Sequence, residues 1–189
     1  MLPATPSEQG ATRRMQPGAM QPGSFDLGPA DLYHDVMDES HLLDEVSHLL
    51  ESDEQKAAGI ARTIRRAGGY RWVGLYEVAE DDIAILAFDG SGAPTHPRFP
   101  VTQGLSGAVV ASGETVVVGD VRKDPRYLTA FGSTRSEIIV PVVDSAGRKV
   151  MGTIDVESEE EDAFSEEDRA VLERCAVVIA RLFGRGDAS

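Results

Sequence analysis

Two spacings of apolar residues divide the chain. Leu42, Leu43, Val46, Leu49 and Leu50 recur at helical intervals, and Ile60 and Ile64 continue the pattern beyond Ser52-Asp-Glu-Gln55, which reads as a capping box opening a second helix. Gly68-Gly69 closes that helix. The period then shortens. Residues 71–78, 83–88, 96–101, 115–118, 137–143 and 150–157 read as short strands, separated by turn residues at Glu80-Asp-Asp, Asp89-Gly-Ser-Gly and Ser145-Ala-Gly. Between the third and fourth strands, Gly104-Leu-Ser-Gly-Ala-Val-Val-Ala-Ser-Gly113 predicts a small helix closed by glycine, with N-terminal amides free to face an anion. Ser165 caps a last helix whose first turn is acidic, as the helix dipole favours.

The order of elements predicts an α+β fold: a six-stranded antiparallel sheet with the N- and C-terminal helices packed on one face. Residues 70–185 form the core and closing helix, and residues 31–69 the N-terminal helices. Residues 1–30 carry Met15-Gln-Pro-Gly and Met20-Gln-Pro-Gly, with few apolar positions at either period, and are expected to be a disordered tail. The last helix bears two apolar stripes, Val171/Cys175/Val178/Leu182 and Leu172/Ala176/Ile179/Phe183. One covers the sheet. The other needs the N-terminal helices or a second subunit, so a homodimer is expected.

Composition narrows the classes. The 189 residues carry 18 Lys and Arg against 32 Asp and Glu, a formal charge of −14, which argues against a nucleic-acid groove. The single cysteine, Cys175, leaves no intramolecular disulfide and no cysteine metal knuckle, so a reducing, cytoplasmic setting is expected. No run approaches the roughly 18–20 apolar residues of a membrane span. His41 and His48 are seven apart, the wrong interval for a helical metal pair, and the acidic run 157–162 lacks the ligand spacing of a calcium loop. No metal or cofactor is implied.

The candidate chemistry lies in the last two strands. Ser136-Glu-Ile-Ile-Val-Pro-Val-Val and Val150-Met-Gly-Thr-Ile-Asp-Val-Glu carry three acidic side chains where a buried sheet prefers apolar ones. Asp155 and Glu157 share a face, and Glu137 joins them if the strands pair as a hairpin across Asp144-Ser-Ala-Gly147. Two readings follow. The trio lines a pocket for a cationic or hydrogen-bond-donating small molecule, or it marks a sheet edge turned to water.

The sequence resembles the GAF domain over residues 40–183, through Trp72-Val-Gly-Leu-Tyr76, Phe99-Pro-Val-Thr-Gln-Gly-Leu-Ser-Gly107, Arg135-Ser-Glu-Ile-Ile-Val-Pro141, Gly152-Thr-Ile-Asp-Val-Glu-Ser158 and Phe164-Ser-Glu-Glu-Asp168. Within that family it looks most like the free methionine-(R)-sulfoxide reductases. The resemblance implies a closed pocket for a free amino acid lined by Trp72, Tyr76, Glu137, Asp155 and Glu157. It does not carry the thiol chemistry, because His96, Ser106 and Ala130 stand at the three positions where those enzymes place cysteines. The leading expectation is therefore a binding or sensing module with no catalytic residue of its own. In it the carboxylates hold a polar, amino-acid-like ligand against Trp72 or Tyr76, and His96 and Ser106 line the same pocket. The rival is a reductase-like enzyme of altered mechanism, with His96 as acid/base and Ser106 as a positioning hydroxyl. Nucleotide-binding GAF domains share only Phe164-x-x-x-Asp168, which a helix cap explains.

Overall fold

The structure, a computed structural model, describes residues 38–51 and 56–183. The expected tail over residues 1–30 and the capping box at Ser52–Gln55 lie outside the described residues. Helices α1 (Glu39–Glu51) and α2 (Lys56–Ala67) precede β1 (Trp72–Val78), β2 (Asp82–Gly90) and β3 (Arg98–Pro100). Helix α3 (Gly104–Ser112), β4 (Val116–Val118) and a 3-10 turn at Val121–Lys123 follow, then β5 (Ser136–Val143), β6 (Val150–Ser158) and α4 (Glu166–Phe183). The strands form one antiparallel sheet in the order β3-β2-β1-β6-β5-β4. The strand expected over residues 96–101 is confined to Arg98–Pro100, and His96 lies in the loop before it. Pro97 has no N–H to extend the ladder.

Alternation along the strands gives the sheet two unlike faces. Val73, Leu75, Ile138, Val140, Ile154 and Val156 point to one side, where they pack with Leu42, Val46, Ile60, Ile64, Leu172 and Ile179 of the three long helices. Burying that many branched side chains, at about 1.5–3 kcal/mol each, is the main source of stability. Polar contacts fix the helices in place. Arg174 of α4 donates to Glu39 of α1 at 2.7 Å, and Arg62 and Arg65 of α2 both pair with Asp89 of β2. Ser165 and Asp168 cap α4 reciprocally, at 3.2 Å and 2.9 Å. Among the described residues, no helix is long and apolar enough to cross a membrane.

The opposite face carries Trp72, Gly74 and Tyr76 from β1, Glu137 and Ile139 from β5, and Thr153, Asp155 and Glu157 from β6. Helix α3 and the segment between β4 and β5 cover it, with Leu105 and Val109 packed on Ile139 and Val118. Gly113, in the left-handed region at φ 71°, turns the chain out of α3 and returns its N–H to the Val109 carbonyl. All the acidic side chains of β5 and β6 thus fall on the side away from the long helices.

Candidate functional site

The strand register sets the three carboxylates side by side. Glu157 lies opposite Glu137 on β5 and opposite Trp72 on β1, while Asp155 lies opposite Ile139 and Gly74. The sheet-edge reading fails here, because β5 and β6 each have a neighbour on both sides and the residues are 6%, 5% and 0% exposed for Glu137, Asp155 and Glu157. One oxygen from each lies within 4.8 Å of the others. Glu157 Oε2 accepts from Thr134 Oγ1, whereas Glu157 Oε1, Glu137 Oε2 and Asp155 Oδ1 are buried with no donor when all three are ionised.

Such crowding resists charge. Burial pushes Glu137 well above the usual carboxylate range, and the neighbouring charges of Asp155 and Glu157 push it further. Asp155 is raised in the same way, by burial and then by Glu157, and a hydrogen bond shared with Glu137 partly opposes the rise. Burial lifts Glu157 to about 7 against the lowering effect of the Thr134 hydroxyl and the Arg71 guanidinium. A proton held between Glu137 and Asp155 relieves part of the repulsion.

Aromatic rings wall the site. Trp72 and Tyr76 are both buried, with ring centres 6.4 Å apart, and Trp72 meets Phe131 edge-on at 5.4 Å. Gly74 makes this possible, since a Cβ there would sit 2.2 Å from Trp72 Cη2 and 3.0 Å from Tyr76 Cε2. Trp72 Nε1 donates to the Gly92 carbonyl at 3.0 Å, so its edge is satisfied by the β2–β3 loop. Burial and then the three carboxylates keep the Tyr76 hydroxyl protonated far into base.

The cover is pinned from the side. Arg71 donates through Nη2 to Ser133 Oγ at 2.9 Å, pairs with Glu159 at 2.9 Å, and lies 4.9 Å over the Phe131 ring. Beneath this cover is a cavity of about 20 Å³, which joins His96, Ser106 and Ala130 to Tyr76, Glu137 and Asp155. That is room for one water molecule. Five of the seven candidate residues therefore line one space, and Trp72 and Glu157 stand beside it. The sequence reading missed Arg71, Phe131 and Thr134. The last two lie in an irregular segment, where no periodicity signals what a side chain meets.

The arrangement also bears on metals and thiols. The three carboxylate oxygens are spaced for a hard cation, but calcium and magnesium take six or more oxygen ligands, and Tyr76, Phe99 and Leu128 supply much of the remaining wall. An ammonium group, with its own N–H donors and an affinity for aromatic faces, fits this donor set better. Cys175 belongs to the helix-side core, fully buried, and burial pushes its thiol up to about 12. It lies outside the site, and burial disfavours its thiolate.

A curled six-stranded antiparallel sheet with helices on one face and a covered polar cavity on the other defines an α+β domain. Residues 54–182 match the GAF domain, and the chain belongs to that family. It is similar to the free methionine-R-sulfoxide reductase of Saccharomyces cerevisiae, 33% identical over 111 residues, covering 57% of this chain and 60% of that protein's length. The crystal structure of the free methionine-R-sulfoxide reductase of Neisseria meningitidis in complex with its substrate superposes with a TM-score of 0.68 at 30% identity, over 77% of this chain and 87% of that one. A putative GAF sensor protein from Burkholderia vietnamiensis aligns with a TM-score of 0.67 at 26% identity, over 75% and 90% of the two chains. Enzyme and sensor relatives thus share this fold.

Proposed function

We propose that this chain is a GAF-type binding protein for a small polar molecule bearing an ammonium group, held by Glu137, Asp155 and Glu157 beside Trp72 and Tyr76. One observation carries the reading: three buried carboxylates crowd together, and Arg71, the cation that acts on Glu157, is itself engaged by Glu159, Ser133 and Phe131. A ligand cation relieves repulsion that the fold leaves standing. Names of the reductase relatives support an amino-acid-sized ligand. They do not bring their reaction with them.

Sulfoxide reduction through thiols needs one thiolate to attack sulfur and a second to resolve the adduct. The cavity instead presents His96, Ser106 and Ala130, and the lone cysteine lies across the sheet. Purified protein incubated with free methionine sulfoxide and a dithiol reductant should therefore show no turnover. Turnover that survives Cys175→Ala would favour the altered-mechanism enzyme over the binding module, and turnover abolished by that change would restore a thiol route.

A further inference from the structure

Two neighbouring residues of the cover are held by groups of opposite charge. Ser133 Oγ accepts from Arg71 Nη2 at 2.9 Å, and Thr134 Oγ1 donates to Glu157 Oε2. Arg71 precedes Trp72, which lies opposite Glu157 in the ladder, so the guanidinium and the carboxylate meet the cover from adjoining strand ends. Each keeps one buried polar atom without a partner, Nη1 of Arg71 and Oε1 of Glu157. One is a charged donor and the other an acceptor, and buried groups of this kind are ordinarily paired. The present partner of Arg71 holds it loosely. Glu159, which pairs with Nε at 2.9 Å, is 57% exposed, and an ion pair open to water contributes little. The cavity beneath, at about 20 Å³, admits nothing larger than water while the cover stays in place.

We infer that Arg71 is a two-position clamp on the cover: turned outward to Glu159 it holds Phe131 and Ser133 down, and turned inward to Glu157 it lets residues 128–133 lift. Leu128 and Ala130 of that segment line the cavity, so lifting opens it. Thr134 keeps its bond to Glu157 and serves as the hinge. The Ala130 carbonyl accepts from the Thr95 N–H at 3.1 Å, so the loop before β3 moves with the segment. The inward position exchanges an exposed ion pair for a buried one, joining the two atoms that now lack partners. The clamp needs nothing beyond this chain, but its use in loading rests on the proposed ligand role of the trio. A ligand cation seated there takes over the charge of Glu157 and repels the guanidinium, which returns to Glu159. An occupied site then closes over its contents, and a molecule without positive charge does not drive that return.

Two readings on the full chain, with no ligand, follow the cover: hydrogen exchange over residues 128–134, and acrylamide quenching of Trp72, the sole tryptophan, which meets the Phe131 ring edge-on. Glu159→Gln removes the outward partner and should raise both several-fold, the scale of losing an exposed ion pair. Adding Glu157→Gln removes the inward partner, while its amide oxygen still accepts from Thr134, and should return both readings toward wild type. If Arg71 only pins the cover, the double variant stays as open as the single one. That result overturns the clamp, as does a single variant no more open than wild type. A crystal structure of Glu159→Gln decides the matter if the double variant fails to fold. Arg71 Nη1 is expected within about 3.2 Å of a Glu157 oxygen, and a guanidinium left against Ser133 and Phe131 rejects the inward position. Wild-type protein in ethylammonium chloride, compared with sodium chloride at equal ionic strength, tests the loading separately. Slower exchange over residues 128–134 supports closure by a bound cation, whereas equal exchange rejects that closure and leaves the clamp to stand or fall on the variants.

Discussion

Asp155 sits at the centre of the site, between the indole-facing end of β6 and the tyrosine of β1, with Gly74 opposite it on one strand and Ile139 on the other. Removing its charge should have opposed effects. Asp155→Asn is expected to stabilise the ligand-free protein by about 1–3 kcal/mol, because a shift of one pKa unit in a neighbour corresponds to about 1.4 kcal/mol, and to weaken ligand binding. Thermal melting with and without a bound amino acid measures both, and unchanged values in both would dismiss the electrostatic account. Glu157 adds a pH signature. Its folded pKa of about 7 stands above the ordinary 4.5, so the folded state binds more protons between those values. The resulting stability is fully present below about 4.5 and is lost as pH rises through 7. Chemical denaturation should show the protein gaining on the order of 3 kcal/mol as pH falls from about 8 to about 5, with Glu157→Gln flattening the slope. Carboxylates held low by arginines, such as Asp124 hydrogen-bonded to Arg126, act only at lower pH.

The strands make the trio legible in the sequence. A period of two places Asp155 and Glu157 together, and the Asp144–Gly147 turn, where the Gly147 N–H donates to the Asp144 carbonyl at 2.8 Å, brings Glu137 alongside. Helix α3 was legible from its glycines, and α4 from its Ser165 cap. Arg71, Phe131 and Thr134 were not, because their roles come from a long irregular connection meeting the end of β1, and such contacts leave no local spacing. Strand β1 itself depends on Gly74. In Gly74→Ala the new methyl displaces the Trp72 ring, at an expected loss of about 1–3 kcal/mol for overpacking a filled site. Tryptophan emission should shift with it, since Trp72 is the sole tryptophan. A variant with native stability and native emission would show that the ring has slack which the packing does not suggest.

At the scale of the whole molecule, the helix layer bears on assembly. Helix α1 lies against α4 and takes up much of the apolar stripe that the sequence leaves over, with Val171, Val178 and Leu182 packed at its margin. Val177 remains, 75% exposed. A homodimer through this layer is expected in sedimentation equilibrium at micromolar concentration and should dissociate in Val177→Asp, whereas a monomeric wild-type protein would reject it. The sheet meanwhile acts as a partition. The largest apolar cluster lies on the helix side, and His96, Ser106 and Ala130 lie on the other, on loops and a short helix, beside two smaller apolar clusters. Substitution at those three places disturbs no part of the helix-side core. The mouth of the cavity can therefore change its lining while the packing of the helices on the sheet stays as it is.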